Sequence, residues 1–344
     1  MVFLHNMIHV TKHGVLLEAT KNQFEDQAVL NPTCYQNGNT VHMYYRAVRQ
    51  GNYSSIGYAR LDGPLTVAER DSEPLLSPKF SYEKHGIEDP RIVFLDGIYY
   101  LFYTAYDGRN ARSAYATSKD GKKFTRRGVL SPSITYDRAE DVFRQSKLMD
   151  RYYFFESYFK DKVGADVLLW EKDACLFPEK IGGKFALLHR VLPGMQIIYF
   201  DDFTELTSDY WERYLERLGD TIVLDPKHGF ESRNIGCGAA PIRTEKGWLL
   251  IYHAVEDARV GRIYYATAAL LDLANPQKVL GRLSEPLFSP VESYEKNGDV
   301  ANVVFPEGTA LFDGRLYIYY GAADSRIAVA SVNLQELLSE LISK

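Results

Sequence analysis

The sequence predicts an all-β fold, a five-bladed β-propeller with short peripheral helices, formed by residues 1–344 as a single domain. Three observations support this prediction. A short phrase recurs five times, a longer phrase recurs twice, and tyrosine, with 25 copies, is the most common aromatic residue. Small sheets repeated around an axis form a propeller, and tyrosine suits strands that have one wet face.

The short phrase is a glycine-containing turn followed by an apolar, aromatic run. It predicts a hairpin turn and then a strand that is buried on both faces. The glycines stand at 38, 97, 183, 247 and 314, and their spacings of 59, 86, 64 and 67 residues suit one four-stranded sheet with its loops. The copies are NGNTVHMYYRA (37–47), DGIYYLFYTAYD (96–107), GGKFALLHR (182–190), KGWLLIYHAVED (246–257) and DGRLYIYYGAAD (313–324).

The longer phrase occurs as EPLLSPKFSYEKHG at 73–86 and as EPLFSPVESYEKNG at 285–298, an offset of 212 residues. Each copy leads into the next apolar strand. A sixth run, MDRYYFFESYF (149–159), lacks the glycine, and we interpret it as an inserted strand pair rather than a sixth blade. Segments 204–219 and 332–343 predict amphipathic helices that cover the propeller from outside.

Composition and charge exclude several classes of protein. The formal net charge of −5 gives no basic field for nucleic acid, and the sequence contains no apolar stretch of 18 residues. The first residues show no basic region followed by a long apolar run, so we expect a cytoplasmic protein that does not bind membranes. The cysteines at 34, 175 and 237 are too far apart for a disulfide framework or a zinc site, and we expect no metal.

Residues that break the repeat mark a candidate site, because the inner strands of a propeller line its central channel. In the longer phrase, Glu88, Asp89 and Arg91 align with Val300, Ala301 and Val303 of the second copy. Charges next to a buried strand are costly unless they are paired or functional. After the apolar runs, the aligned positions hold Arg46, Thr104, His189, His253 and Gly321, followed by Asp107, Asp257 and Asp324.

Four segments together resemble glycoside hydrolase family 130, the β-mannoside phosphorylases and β-1,2-mannosidases. These segments are GIEDPRIVFLDGIYYLFYTAYDG (86–108), KDACLFPEKIGGKFALLHR (172–190), GWLLIYHAVED (247–257) and NVVFPEGTALFDGRLYIYYGAADSRIAVASVNL (302–334). The resemblance implies a five-bladed propeller and an inverting reaction. It assigns Asp89, in EDPRI, as the general acid, which protonates the glycosidic oxygen through the 3-hydroxyl of the bound mannosyl unit.

In the phosphorylases of this family inorganic phosphate attacks the anomeric carbon, so the resemblance implies phosphate as co-substrate and no other cofactor. Basic side chains would hold the phosphate by charge-assisted hydrogen bonds. The matching positions are Arg109, Arg126, Lys172, His189 and Arg190. Sugar contacts are expected from Asn31, Arg46, Glu88, Arg91, Asp107, His253 and Asp324.

Two alternatives stay open. Hydrolysis with inversion needs a second carboxylate that activates water, and Glu231 in HGFESRNIG is the leading candidate base. The basic positions favour phosphorolysis, and we expect β-1,2- rather than β-1,4-mannosides, with segments 152–167 and 200–229 at the pocket rim. An inactive carbohydrate-binding propeller is the other alternative. The C-terminal helix is expected to dock either on its own propeller or, in a homo-oligomer, on a neighbouring copy.

Overall fold

The computed structural model describes residues 8–343, whose strands form the five antiparallel blades of a propeller. The predicted fold class is confirmed. The first strand is β1 (Val10–Leu17). Blade one contains β2 (Ala28–Asn37), β3 (Thr40–Arg49), β4 (Tyr53–Asp62) and β5 (Thr66–Arg70). Blade two contains β6 (Gly86–Leu95), β7 (Ile98–Tyr106), β8 (Ala111–Ser118) and β9 (Thr125–Val129).

The remaining strands build the other three blades. Blade three contains β10 (Lys172–Leu176), β11 (Phe185–Arg190), β12 (Met195–Phe200) and β13 (Ile222–Leu224). Blade four contains β14 (Asn234–Cys237), β15 (Ile242–Thr244), β16 (Gly247–Ala258), β17 (Gly261–Leu271) and β18 (Val279–Arg282). Blade five contains β19 (Val304–Phe312), β20 (Arg315–Ala322) and β21 (Arg326–Asn333).

The first strand closes the ring. β1 pairs antiparallel with β21, with Val10 opposite Val332, and so becomes the outermost strand of blade five. Neighbouring blades contact one another all the way around: β2 with β6, β6 with β10, β10 with β14, β16 with β19, and β19 with β2. Blades one and two are also joined by a parallel bridge between Ser54 and Gly86. The five inner strands therefore surround one central channel.

The repeated apolar runs are the second strands of the blades (β3, β7, β11, β16 and β20), and not the innermost strands. Their turns are as predicted. In the turns before β7 and β20, both Asp96–Gly97 and Asp313–Gly314 have positive φ, the geometry of a type I′ hairpin. The second strands are sandwiched between neighbouring strands and blades, which explains why residues such as Tyr45 and Leu249 are completely buried.

Within residues 8–343, five α-helices lie outside the sheets, namely α1 (Tyr136–Phe143), α2 (Asp150–Val163), α3 (Ser208–Leu215), α4 (Ser293–Lys296) and α5 (Leu334–Ile342). The expectation of a strand pair or sixth blade at 149–159 is wrong, because this segment is α2. Its aromatic residues are strand formers by composition, yet Tyr152, Phe155 and Phe159 follow helical spacing. Gly164, with φ of 109°, ends the helix.

The two predicted helices are present in shortened form. Within 204–219 the helix is α3, and the C-terminal helix is α5. The side chain of Asn333 caps α5 by accepting a hydrogen bond from the backbone N–H of Glu336. α5 buries Leu337, Leu338 and Leu341 against blades four and five of its own propeller. Within residues 8–343 no helix has the length and apolar character needed to cross a membrane.

Four of the five blades each contain a buried glutamate that links the second strand of the blade to its outermost strand. We call these residues, Glu25, Glu83, Glu231 and Glu295, the frame glutamates. Each is fully buried and accepts a hydrogen bond from a tyrosine of its blade's second strand. Each also faces a basic residue on the outermost strand of the blade. These pairs are Glu25–Arg70 at 2.8 Å, Glu83–Arg126 at 3.5 Å, Glu231–Arg282 at 2.7 Å and Glu295–Lys12 at 2.6 Å.

Candidate active site

The inner strands of the first three blades each carry a bulge at the same level of the channel. Asn31, Asp89 and Asp173 sit at these bulges with φ of 48°, 49° and 61°, and the strand registers shift there. Asparagine and aspartate are the non-glycine residues that tolerate this left-handed conformation best. A bulge leaves one residue unpaired and redirects its side chain, here into the channel.

The channel opens into a pocket of about 260 Å³ at this level. Its walls are polar and charged, and all five blades contribute. The inner part is lined by Asn31, Arg46, Asp89, Lys172, Asp173, Arg190, His253, Phe305 and Asp324. A concave site with converging charged groups is the usual form of a small-molecule site.

Asp89 lies in this pocket with its carboxylate held on two sides. Asn31 Nδ2 donates to Asp89 Oδ1 at 2.8 Å, and an Arg46 guanidinium nitrogen lies 3.6 Å from the same oxygen. Burial favours the neutral carboxyl, but Arg46, Lys172 and the Asn31 hydrogen bond outweigh it and hold the pKa of Asp89 below its usual range. Asp89 is therefore ionised at neutral pH in the free protein.

Arg91 forms the floor beneath Asp89 and is almost completely buried. It donates to the Asp89 carbonyl at 3.1 Å, to the Cys237 carbonyl at 2.7 Å and to Asp173 Oδ1 at 3.2 Å. Its Nη2 also lies 2.7 Å from Glu307 Oε1 of blade five. Arg91 joins four blades and positions Asp89 through the backbone, without lining the pocket itself.

Two cations face the pocket from blade three. The Lys172 side chain is 25% exposed, and its ammonium lies 3.7 Å from Glu88 Oε2. Arg190 pairs with Asp173 at 2.8 Å and lies 3.1 Å from His253 Nε2. Because arginine only donates, the neutral His253 ring accepts at Nε2.

The pKa values of His253 and Asp324 are shifted from those of the free side chains. Burial lowers the pKa of His253 to about 3, so its ring is neutral at physiological pH. Burial also raises the pKa of Asp324 to about 6, although Arg46 opposes the shift. Of the three carboxyl groups that line the pocket, Asp89, Asp173 and Asp324, the first and the last have environments that push their pKa values in opposite directions.

A profile of glycoside hydrolase family 130, described as β-1,4-mannooligosaccharide phosphorylase, matches residues 8–342. The chain belongs to glycoside hydrolase family 130. The 1,2-β-oligomannan phosphorylase of Thermoanaerobacter sp. (strain X514) is 34% identical over 334 residues, 94% of this chain and 96% of the relative. The β-1,2-mannobiose phosphorylase of the same organism is 32% identical over 350 residues, 97% and 99% of the two chains.

A solved structure from family 130 shows the same fold. The β-1,2-mannobiose phosphorylase from Listeria innocua, in complex with β-1,2-mannobiose, superposes with a TM-score of 0.73 at 23% sequence identity. The match covers 98% of this chain and 100% of that chain. The propeller fold is therefore a feature that this family 130 chain shares with a known member.

Several residues expected at the family 130 site from sequence lie elsewhere. Asp107 caps its own loop, accepting from the backbone N–H groups of Arg109 and Asn110. Arg109 is half-exposed and pairs with Asp166 at 2.6 Å. Glu88 stands behind the pocket lining and pairs with Arg46 at 2.8 Å, so it supports the lining.

Arg126 and Glu231 belong to the frame of the blades. Arg126 is the basic partner of Glu83, so it is not placed to bind phosphate. Glu231 accepts hydrogen bonds from Tyr252 and Arg282 at Oε1 and from the backbone N–H groups of Lys227 and His228 at Oε2. Both oxygens of its carboxylate are therefore occupied. The structure does not support the expectation of Glu231 as a base, because no free oxygen of this carboxylate faces the pocket.

His189 also departs from expectation, because the alignment of the runs is shifted by one residue in blade three. His189 takes the place of the second-strand tyrosine, and its Nδ1 lies 3.4 Å from the buried Glu171 carboxylate. Arg190 is the residue that occupies the pocket position of Arg46 and His253. A one-residue shift in a strand moves a side chain to the other face.

We expect Glu231→Gln to lower the free energy of unfolding by about 3 kcal/mol, because it leaves the buried Arg282 without its partner charge. Glu83→Gln is the matched control in blade two and should be similarly destabilised. Denaturant unfolding and product analysis with and without phosphate check this. A Glu231→Gln protein that is as stable as wild type but inactive would contradict the frame assignment.

Proposed function

We propose that this protein is an inverting β-mannoside phosphorylase, with β-1,2-mannosides favoured over β-1,4-mannosides, that releases α-mannose 1-phosphate. The observation that carries the proposal is the composition of the pocket. Asp89 lines it together with two cationic side chains, Lys172 and Arg190. Its relatives named above act on β-1,2-linked mannan and mannobiose, which supports the linkage. The description of the family profile names β-1,4-mannooligosaccharide, so linkage belongs in the test.

In the proposed reaction a phosphate oxygen attacks the anomeric carbon while the bond to the glycosidic oxygen breaks. A proton passes from Asp89 through the 3-hydroxyl of the mannosyl unit to the leaving oxygen, and Asp89 ends as a carboxylate. Lys172 and Arg190 hold the phosphate and stabilise its charge. Asn31, Arg46, His253 and Asp324 supply polar contacts to the mannosyl unit.

The ionised state of Asp89 in the free protein fits this scheme. A general acid must carry a proton when the glycosidic bond breaks. Phosphate brings negative charge to Lys172, one of the cations that hold the pKa of Asp89 low, and the sugar removes water from the pocket. Both changes favour the neutral carboxyl, so substrate binding itself prepares the acid.

The test is to incubate the purified protein with β-1,2- and β-1,4-mannobiose, with and without inorganic phosphate, and to identify products by NMR. We expect α-mannose 1-phosphate, formed only with phosphate and faster from the β-1,2 substrate. Free mannose formed at equal rates with and without phosphate would instead show a hydrolase. A protein that binds mannobiose without turnover would be a carbohydrate-binding propeller.

Lys172→Ala is expected to raise the KM for phosphate about 10- to 100-fold, because a charge-assisted contact contributes about 1.5–3 kcal/mol. The KM for the mannoside should stay within about twofold, since Lys172 is assigned to the anion. Lys184→Ala is the matched control, because Lys184 pairs with Asp201 at the surface. An unchanged phosphate KM in Lys172→Ala would place the anion elsewhere.

A cytoplasmic location is part of the proposal. Phosphorolysis keeps the free energy of the glycosidic bond in a charged sugar phosphate. Such a product is useful where it is retained and metabolised, which is inside the cell.

A further inference from the structure

The pocket has a floor and a mouth with different chemistry. The floor is formed by the bulged inner strands and is closed beneath by the buried Arg91 and Glu307. A mannosyl unit at Asp89 therefore sits at the bottom, and the rest of a mannan chain has to leave past the rim. Any contact that distinguishes a longer substrate from a shorter one belongs at that rim.

On one side of the pocket, elements outside the propeller strands contribute to the rim. Among the described lining residues, those from blades one, two and five lie on the strands around the channel or, in the case of Asp324, in the turn between β20 and β21. On the side of blades three and four, α2 and the loop after it add Phe159 and Trp170, and Arg233 stands before β14. These three residues lie outside the repeated strands of the propeller, so blade geometry alone does not account for them.

Phe159 and Trp170 form a fixed aromatic surface. Their ring centres are 5.1 Å apart, and Phe159 also stacks on Tyr136 at 5.9 Å. The Trp170 indole N–H donates to the Arg109 carbonyl at 3.0 Å. The Lys172 ammonium lies 5.9 Å from the Trp170 ring, which sets this surface next to the reacting centre. Aromatic rings of this kind offer large, rigid apolar faces with little entropy to lose on binding.

Arg233 is held in place before any ligand arrives. Its guanidinium pairs with Asp257 at 3.0 Å and lies over the rings of Phe155 at 5.3 Å and Tyr158 at 5.8 Å. Only 13% of its side chain is exposed. An arginine fork has five N–H donors, so Arg233 keeps donors available for hydroxyl groups at the mouth.

We propose that Phe159, Trp170 and Arg233 form the acceptor subsite, which binds the sugar on the leaving side of the bond. The inference rests on the proposed function. The sugar ring lies against the aromatic surface while Arg233 donates to its hydroxyl groups. α2 thus supplies a specificity surface that the repeat itself does not contain.

The experiment measures synthesis from α-mannose 1-phosphate, with mannose or β-1,2-mannobiose as acceptor. Phe159→Leu removes the aromatic face but keeps apolar volume, and Arg233→Lys keeps the charge but loses the planar fork. Phe154→Leu is the matched control, because Phe154 lies on the same helix, is 59% exposed and does not line the pocket. Thermal unfolding of each variant confirms that α2 is intact.

We expect the acceptor KM to rise about tenfold in Phe159→Leu and in Arg233→Lys, because one such contact is worth about one factor of ten. The KM for α-mannose 1-phosphate should stay within about twofold, and Phe154→Leu should match wild type. Unchanged acceptor KM values in folded variants, or equal rises for both substrates, would overturn the acceptor subsite. A wild-type protein that makes no product from α-mannose 1-phosphate would instead overturn the proposed function.

Discussion

Asp89→Asn is expected to lower kcat for phosphorolysis of β-1,2-mannobiose by about 10²- to 10⁴-fold, the range that a positioned general acid contributes. The amide cannot supply the proton that the leaving oxygen needs. The fold should survive, because the carbonyl oxygen of the new amide can still accept from Asn31 and because Glu88 still pairs with Arg46 at 2.8 Å.

An activated substrate separates a general acid from a residue that only positions the sugar. A dinitrophenyl β-mannoside has a leaving group that needs no proton, so Asp89→Asn should lose far less activity on it than on mannobiose. Equal losses on both substrates would contradict the assignment of Asp89.

The stability of Asp89→Asn follows from the sign of the pKa shift. Because the pKa of Asp89 is lowered in the folded state, its charge stabilises the fold above the pKa of the unfolded chain. That contribution is lost as the pH falls through the folded pKa. At pH 7 the variant lacks it, so we expect Tm to fall by about 2 °C or less, while at low pH the two proteins should converge.

Arg91→Met should lower the free energy of unfolding by about 3–5 kcal/mol, the usual cost of breaking a buried ion pair from one side. The substitution leaves the carbonyls of Cys237 and Gly238 without their donor and Glu307 without its cation. Burial raises the pKa of Glu307 and Arg91 opposes that shift, so removing Arg91 favours the neutral carboxyl, which then has lost its partner. Denaturant unfolding measures the change.

A double variant tests whether Glu307 is the partner that Arg91→Met leaves unpaired. Adding Glu307→Leu to Arg91→Met replaces the pair by apolar groups and should recover part of the lost stability. Arg217→Met is the surface control, with a side chain that is 76% exposed, and should stay within about 0.5 kcal/mol of wild type. A double variant less stable than Arg91→Met alone would contradict the pairing of Arg91 with Glu307.

The repeat made the fold predictable, because five copies of one turn and strand define five sheets whatever their loops contain. It also made Asp89 visible, since the second copy of the longer phrase has Ala301 at that position. Aligning the copies gives a wrong position where one copy is irregular. Blade three has histidine in place of the second-strand tyrosine, and the alignment therefore placed His189 where Arg190 belongs.

A third repeat in the sequence distinguishes the frame from the pocket. An aromatic residue followed by glutamate precedes the inner strand of every blade, and this pattern marks Glu231 as part of the frame. The five copies are Phe24–Glu25, Tyr82–Glu83, Trp170–Glu171, Phe230–Glu231 and Tyr294–Glu295. Asp173 is a pocket residue that the sequence analysis did not identify. Its place in the pocket depends on a bulge that no local sequence pattern predicts.

The first strand, β1, pairs with the last strand, β21. The ring can therefore close only after the last strands of the chain have been synthesised. The contact between Lys12 and Glu295 spans 283 residues, and closing so long a loop slows folding. The pocket draws side chains from all five blades, so it is complete only in the closed ring. A ligand that binds there therefore resists opening of the seam, and the ring is most stable when the enzyme is saturated with substrate.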